Sequence, residues 1–173
     1  MIRRWILAGA LACSSMAACG AEIVALGASN TEGRGRGATA DGVPRSQAFP
    51  AQLQAMLRAE GCRARVLNAG VAGDTTGGML RRLPRVLGKE TRVLILQPGG
   101  NDARRGEGAD RAANIAAIQQ YAEQRGITVV MLERLQSIAG PYLLGDGQHY
   151  SAGGHARFGA YLLPQVRGAG CGR

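Results

Sequence analysis

Ser29, Asp146 and His149 are the residues of this 173-residue chain whose types and spacing could do nucleophilic chemistry. Ser29 follows an apolar strand in Ile23-Val24-Ala25-Leu26-Gly27-Ala28-Ser29-Asn30-Thr31, where Gly-Ala breaks the run just before the hydroxyl. A serine at such a break is held at the open end of a sheet, where it can be a nucleophile if a base reaches it. His149 closes Asp146-Gly147-Gln148-His149. At that separation in a loop, the carboxylate can turn back to one imidazole nitrogen and leave the other for a hydroxyl. The base would take the serine proton while the acid fixes the imidazole tautomer and stabilises the imidazolium. Acyl transfer also needs donors where negative charge develops. The candidates are the Ser29 N–H, the Gly73 N–H, which no side chain obstructs, and the amide of Asn101 in Gly99-Gly100-Asn101-Asp102. Each of these residues alone reads as a turn or a cap; their weight comes from convergence.

Other polar groups fit structural roles. His155 has no acid three residues before it, which predicts a structural or surface histidine. Asp74 and Asp102 are expected in turns or caps. Gly35-Arg36-Gly37-Ala38-Thr39-Ala40 fits a loose G-x-G-x-x-A, but no strand runs directly into it, so the dinucleotide reading fails on context. The chain holds no CxxC or HExxH, and its imidazoles are His149 and His155. Nothing in it has the spacing of a metal site.

For these loops to meet, strands must alternate with helices. Residues 48–59 carry Phe49, Leu53, Met56 and Leu57 at helical spacing, with Gly61 as a stop. A short strand is expected over 64–67, followed by Asn68-Ala69-Gly70-Val71-Ala72-Gly73-Asp74-Thr75. Asp74 or Thr75 can cap a helix running to about residue 87. Val93-Leu94-Ile95-Leu96-Gln97 is the clearest strand, and its unbroken apolar character predicts burial on both faces of a parallel sheet. A helix over about 110–125 presents Ile115, Ile118 and Tyr121 on one side, and a fourth strand spans 127–132. A short fifth strand is placed near 142–144 and a last helix over 153–166. The alternation predicts a three-layer α/β domain, with four or five parallel strands and helices on both faces. Sites in such sheets form outside the carboxyl ends of strands. The breaks at Ser29, at 70–73 and at 99–101 all follow strands, so they should open onto one crevice.

Four blocks, in this order and context, resemble the SGNH (GDSL-type) hydrolases. Gly27-Ala28-Ser29-Asn30-Thr31 is similar to the block that carries the nucleophile, and Asn68 to Thr75 to the block whose glycine, here Gly73, is an oxyanion donor. Gly99-Gly100-Asn101-Asp102 resembles the block with the asparagine donor, and Asp146-Gly147-Gln148-His149 the block with acid and base. The resemblance implies a flavodoxin-like sheet, a Ser29–Asp146–His149 triad, an oxyanion hole of Ser29, Gly73 and Asn101, and no cofactor. Small exported arylesterases, thioesterases and lysophospholipases are the members it resembles most. The chain departs from the pattern in three ways. Ala28 stands where many members have aspartate, Tyr150 stands where proline is common, and a short stretch separates Asn101 from Asp146.

The bulk properties bound the setting. The chain is 46% hydrophobic and 19% charged, a globular composition, and its length suits one domain over residues 22–173. Residues 1–21 read as a signal peptide, with Arg3 and Arg4 before an apolar run and small residues up to Ala21. That run falls short of the roughly 20 apolar residues that span a bilayer. A periplasmic or secreted protein is expected, with lipidation at Cys13 or Cys19 as the rival outcome and the one route to a membrane. Export leaves Cys62 and Cys171 in an oxidising compartment, as a disulfide or as two free thiols. The formal net charge is +9, and all basic residues but Lys89 are arginine. They are scattered, aromatic residues make up 4%, and no nucleic-acid motif is present, so nucleic acid is not an expected partner. A small ester or thioester is. The alternatives are a carbohydrate O-acetyl esterase using the same residues, a non-catalytic ligand-binding relative, and a nucleotide-binding flavodoxin-like protein.

Overall fold

The computed structural model describes residues 21–34 and 42–172. The expected signal peptide, with Cys13 and Cys19, lies outside them apart from Ala21, as does the segment from Gly35 to Ala40. The elements run β1 (Glu22–Gly27), α1 (Ser29–Glu32), α2 (Phe49–Ala59), β2 (Arg65–Gly70), α3 (Thr76–Val86), β3 (Thr91–Gln97), α4 (Asn101–Arg104), α5 (Arg111–Glu123), β4 (Thr128–Met131), α6 (Leu135–Ala139) and α7 (Ala152–Cys171). The four strands form a parallel sheet in the order β2-β1-β3-β4. Both central strands are thus the apolar runs, as expected for strands covered on two faces.

Alternation along the strands divides the interior into two cores. Ile23, Ala25, Val93 and Ile95 pack with Phe49, Leu53 and Leu57 of α2 and with Phe158, Leu162 and Val166 of α7. Val24, Leu26, Leu94 and Leu96 pack on the other face with Met79 and Leu83 of α3 and with Ile118 and Ala122 of α5. Full burial of each such aliphatic or aromatic side chain contributes about 1.5–3 kcal/mol. The two covered faces make the three layers read from the sequence.

The elements differ from the sequence expectation in three places. β2 runs on to Gly70, so its last residue pairs with Gly27 and both break at the same level. α7 continues to Cys171 despite Pro164 and several glycines, because its inner face stays in contact with β1. At Gly170 a Cβ would lie 2.7 Å from Ile23 Cδ1, so the helix approaches the sheet where no side chain intervenes. The fifth strand near 142–144 does not form. Residues 140–142 make a 3₁₀ turn, and Leu143 makes one isolated antiparallel bridge with Tyr150. Pro141 has no N–H to give a ladder, and Leu144 N already donates to His149 O at 2.7 Å. That stretch is committed to the loop carrying His149.

Of the two cysteine alternatives, the disulfide forms. Cys62, just past α2, bridges Cys171 at the end of α7, with Cα atoms 5.3 Å apart. The bond closes a separation of 109 residues, for which the chain-entropy estimate is about 4–5 kcal/mol.

Candidate active site

Ser29 opens α1 directly after β1. Thr31 N and Glu32 N both donate to Ala28 O, at 3.1 and 2.9 Å, which turns the chain sharply behind the serine. The buried Thr31 Oγ1 donates to Gln97 Oε1 at 3.3 Å and ties this turn to the end of β3. A Cβ at Gly70 would lie 2.1 Å from Glu32 N, so glycine there lets α1 sit against the end of β2. Ser29 is left half-buried, and its N–H, in the first turn of the helix, has no intrahelical acceptor.

The two other candidate donors are tied to one another through Asp74. Gly73 has φ +75°, a left-handed backbone that favours glycine, and Asp74 N donates to Val71 O at 3.0 Å to close the turn. Asp74 O accepts from Asn101 Nδ2 at 2.8 Å, so the loop holding Gly73 and the start of α4 are fixed relative to each other. Asn101 Oδ1 accepts from Arg104 Nη2 at 3.0 Å, which sets the amide orientation and leaves the second Nδ2 hydrogen for a ligand. The Asp74 carboxylate is held by Arg82, Nε to Oδ2 at 2.8 Å. The same guanidinium donates to Gly27 O at 3.0 Å and to Ala69 O at 2.5 Å. One side chain of α3 therefore fastens the ends of β1 and β2 to the Gly73 turn. Asp102 is fully buried and accepts from the N–H of Thr76, at 3.0 and 3.3 Å, and from its hydroxyl. It is a cap for the first turn of α3, beside the Thr75 side chain that accepts from Gly78 N. These are the structural roles expected of Asp74, Thr75 and Asp102.

His149 and Asp146 form the second part of the site. His149 Nδ1 is hydrogen-bonded to the Asp146 carboxylate. Asp146 Oδ1 also accepts from Gln148 N and His149 N, each at 3.0 Å. Burial alone would raise the Asp146 pKa. The two backbone N–H donors and the imidazole outweigh it and hold the carboxyl at about 2. The acid is therefore ionised throughout the ordinary pH range and acceptor-only, which fixes the Nδ1–H tautomer of a neutral His149. Tyr150 follows, nearly buried, with its ring 5.0 Å from Phe158 in an edge-on contact, and so roots the loop in the core.

Among the described residues, one hydrogen bond links the two parts. Asn30 Nδ2 donates to Gln148 O at 3.0 Å. It joins the residue after Ser29 to the residue before His149. Among the described residues, Ser29 Oγ and His149 share no hydrogen bond. His155 is structural but not on the surface: it is 1% exposed, and its Nδ1 accepts from Phe49 N at 3.1 Å, capping α2. Burial, reinforced by the nearby His149, lowers its pKa to about 4. It is held neutral and has no free acceptor for a substrate proton.

A cavity of about 370 Å³ opens beside the serine, with Ser29, Asn30, Asn101 and Gln148 in its wall. Gly73, Asp146 and His149 do not line it. The wall also takes in Leu132, the last residue of the expected fourth strand, and residues 133–135. Sequence reasoning missed Arg82, Asn30 and Tyr150. Arg82 is one arginine among many, with nothing in its spacing to separate it from a solvated cation. Asn30 carried one signal, its place next to the candidate nucleophile.

Comparison with known proteins places the chain. It is 41% identical over 93 residues to the esterase TesA of Pseudomonas aeruginosa, covering 53% of this chain and 46% of that protein. It is 32% identical over 93 residues to an arylesterase of Vibrio mimicus, with the same coverage. The chain thus spans about half the length of the curated relatives it matches. A crystal structure of TesA superposes with a TM-score of 0.73 at 25% identity, over 86% of this chain and 99% of that one. AlinE4, an SGNH-hydrolase family esterase, superposes with a TM-score of 0.55 at 32% identity, over 65% of this chain and 58% of that one. Residues 25–160 match the GDSL-like lipase/acylhydrolase family, and the chain belongs to it.

Proposed function

We propose that this chain is a serine esterase that hydrolyses carboxylic esters or thioesters through Ser29, His149 and Asp146. The observation that supports the reading is the Asn30–Gln148 bond, because it joins the residue after a half-buried serine at a sheet end to the residue before a histidine hydrogen-bonded to an ionised aspartate. In this reading Ser29 Oγ attacks the acyl carbon while His149 Nε2 takes its proton. The negative charge on the carbonyl oxygen is received by the Ser29 N–H, the Gly73 N–H and the free Nδ2 hydrogen of Asn101. Collapse expels the alcohol or thiol, which takes the proton from His149, and leaves the acyl group on Ser29. Water then attacks the acyl-enzyme with His149 as base, releasing the acid and restoring Ser29. Asp146 keeps its charge throughout and stabilises the imidazolium. The family and the esterases it resembles support this chemistry. The Cys62–Cys171 disulfide supports export to an oxidising compartment, periplasmic or secreted.

The test is hydrolysis of p-nitrophenyl butyrate by purified protein. Ser29→Ala is expected to lower kcat by about 10³-fold or more, and a fluorophosphonate is expected to label Ser29 in the wild type. Full activity in Ser29→Ala would overturn the assignment.

A further inference from the structure

The wall beyond Ser29 is cationic. Arg104, Arg111 and Arg134 all line the cavity, and the one carboxylate among its lining residues is Glu133. Glu133 offsets one of the three charges: it forms a long ion pair with Arg111 at 3.9 Å, with both side chains substantially exposed, and the wall stays net cationic. Arg104 uses one donor on Asn101 Oδ1, and Arg111 donates to Gly99 O at 3.5 Å. Several N–H groups of each guanidinium remain for a ligand. Arg134 is the least committed: among the described residues its guanidinium has neither an ion pair nor a hydrogen bond. Its backbone is also unusual. At φ 52° it is the one non-glycine residue at positive φ among those described, a conformation that Asn or Gly would adopt more readily. Such outliers concentrate where function fixes them. Apart from Leu132 and Leu135 the wall offers no large aliphatic surface, so a long acyl chain is poorly matched.

Resting on the esterase reading, we infer that the physiological ester carries an anionic group, a carboxylate or phosphate, which Arg134 and Arg111 bind while Ser29 attacks the acyl carbon. Planar guanidiniums suit both oxyanions, which they can hold by paired N–H donors.

The test compares two pairs of esters. Mono-p-nitrophenyl adipate against its methyl ester places the charge on the acyl side. 1-Butyrylglycerol 3-phosphate against 1-butyrylglycerol places it on the alcohol side. The anionic member of at least one pair is expected to be preferred about tenfold in kcat/KM at low salt, and the preference to shrink as sodium chloride screens it. Arg134→Asn removes the cation and suits the left-handed backbone; it is expected to cut the preference several-fold. A ratio of one or less in both pairs, or a ratio indifferent to Arg134→Asn and Arg111→Gln, overturns the inference. If the neutral esters turn over through Ser29 without any charge preference, the esterase reading stands and this inference alone fails. If no ester turns over in a Ser29-dependent way, both fail.

Discussion

The two halves of the candidate site are held in different ways. Gly73 and Asn101 lie just past the ends of β2 and β3, and their loops are joined by bonds to backbone oxygens and one carboxylate: Asn101 to Asp74 O, Arg82 to Gly27 O, Ala69 O and the Asp74 carboxylate. His149 lies on a loop outside the sheet. It is shaped from within by Asp146, rooted by Tyr150, and connected to the serine turn by the Asn30–Gln148 bond. Donors for a developing charge act by being fixed beforehand, whereas a base must move a proton between partners. The rigid half is suited to the first task and the loosely linked half to the second.

Between the two halves, the largest expected effect tests the rigid one. Asn101→Ala removes one proposed oxyanion donor and also frees the Asp74 carbonyl. It should lower kcat by about 10²–10³ with a smaller change in KM. A loss confined to KM would mean that Asn101 binds substrate and does not stabilise the charge. Next is Arg82→Ala, which strips three acceptors at once. The pair with Asp74 is mostly buried, at 20% and 13% side-chain exposure, so a stability loss of about 2–3 kcal/mol is expected, read as a lowered Tm. Because Arg82 acts through the Gly73 turn, kcat for p-nitrophenyl butyrate should fall as well, and Arg82→Lys should restore stability better than activity. A single ammonium cannot reach all three acceptors.

The rigid half was largely legible in the sequence and the linkage was not. Gly-rich breaks after apolar runs reveal strand ends because few other patterns place glycine there, so Ser29, Gly73 and Asn101 could be named. Asp146 and His149 were legible because three residues is the span over which a side chain returns to its own loop. The failed fifth strand had a readable cause in Pro141, but the competing bond from Leu144 N to His149 O is a tertiary fact. Arg82 and Asn30 act across 55 and 118 residues of sequence. No local spacing encodes such contacts, since they depend on where the sheet order brings the loops.

The next effect, on stability and at most comparable to that of Arg82→Ala, concerns the contact of α7 with α2. His155 caps α2 only when neutral, and its pKa falls from 6.5 to about 4 on folding. Between those values the unfolded chain binds more protons than the folded one. Stability should therefore be complete above about pH 6.5 and decline as pH falls toward 4, by at most on the order of 3 kcal/mol. Urea midpoints measured across that range should show the decline, and His155→Gln, which keeps an acceptor but does not titrate, should flatten it. An equally steep decline in His155→Gln would assign the effect to other groups.

The smallest expected effect probes the link itself. Asn30→Ala removes a solvent-exposed bond between loops that are each otherwise anchored, so Tm should move little. The change should appear in reactivity. With the His149 loop no longer tied to the serine turn, Ser29 and His149 meet in productive geometry less often, and fluorophosphonate labelling of Ser29 should slow about tenfold, the penalty of roughly one lost hydrogen bond. Asn30→Asp sharpens the comparison, because it keeps the shape but sets a carboxylate oxygen against the Gln148 carbonyl. It should label more slowly still, with Asn30→Gln between the two. If all three variants label at the wild-type rate, the base side is as firmly placed as the oxyanion side, and the difference between the two halves lies in their chemistry and not in how they are held.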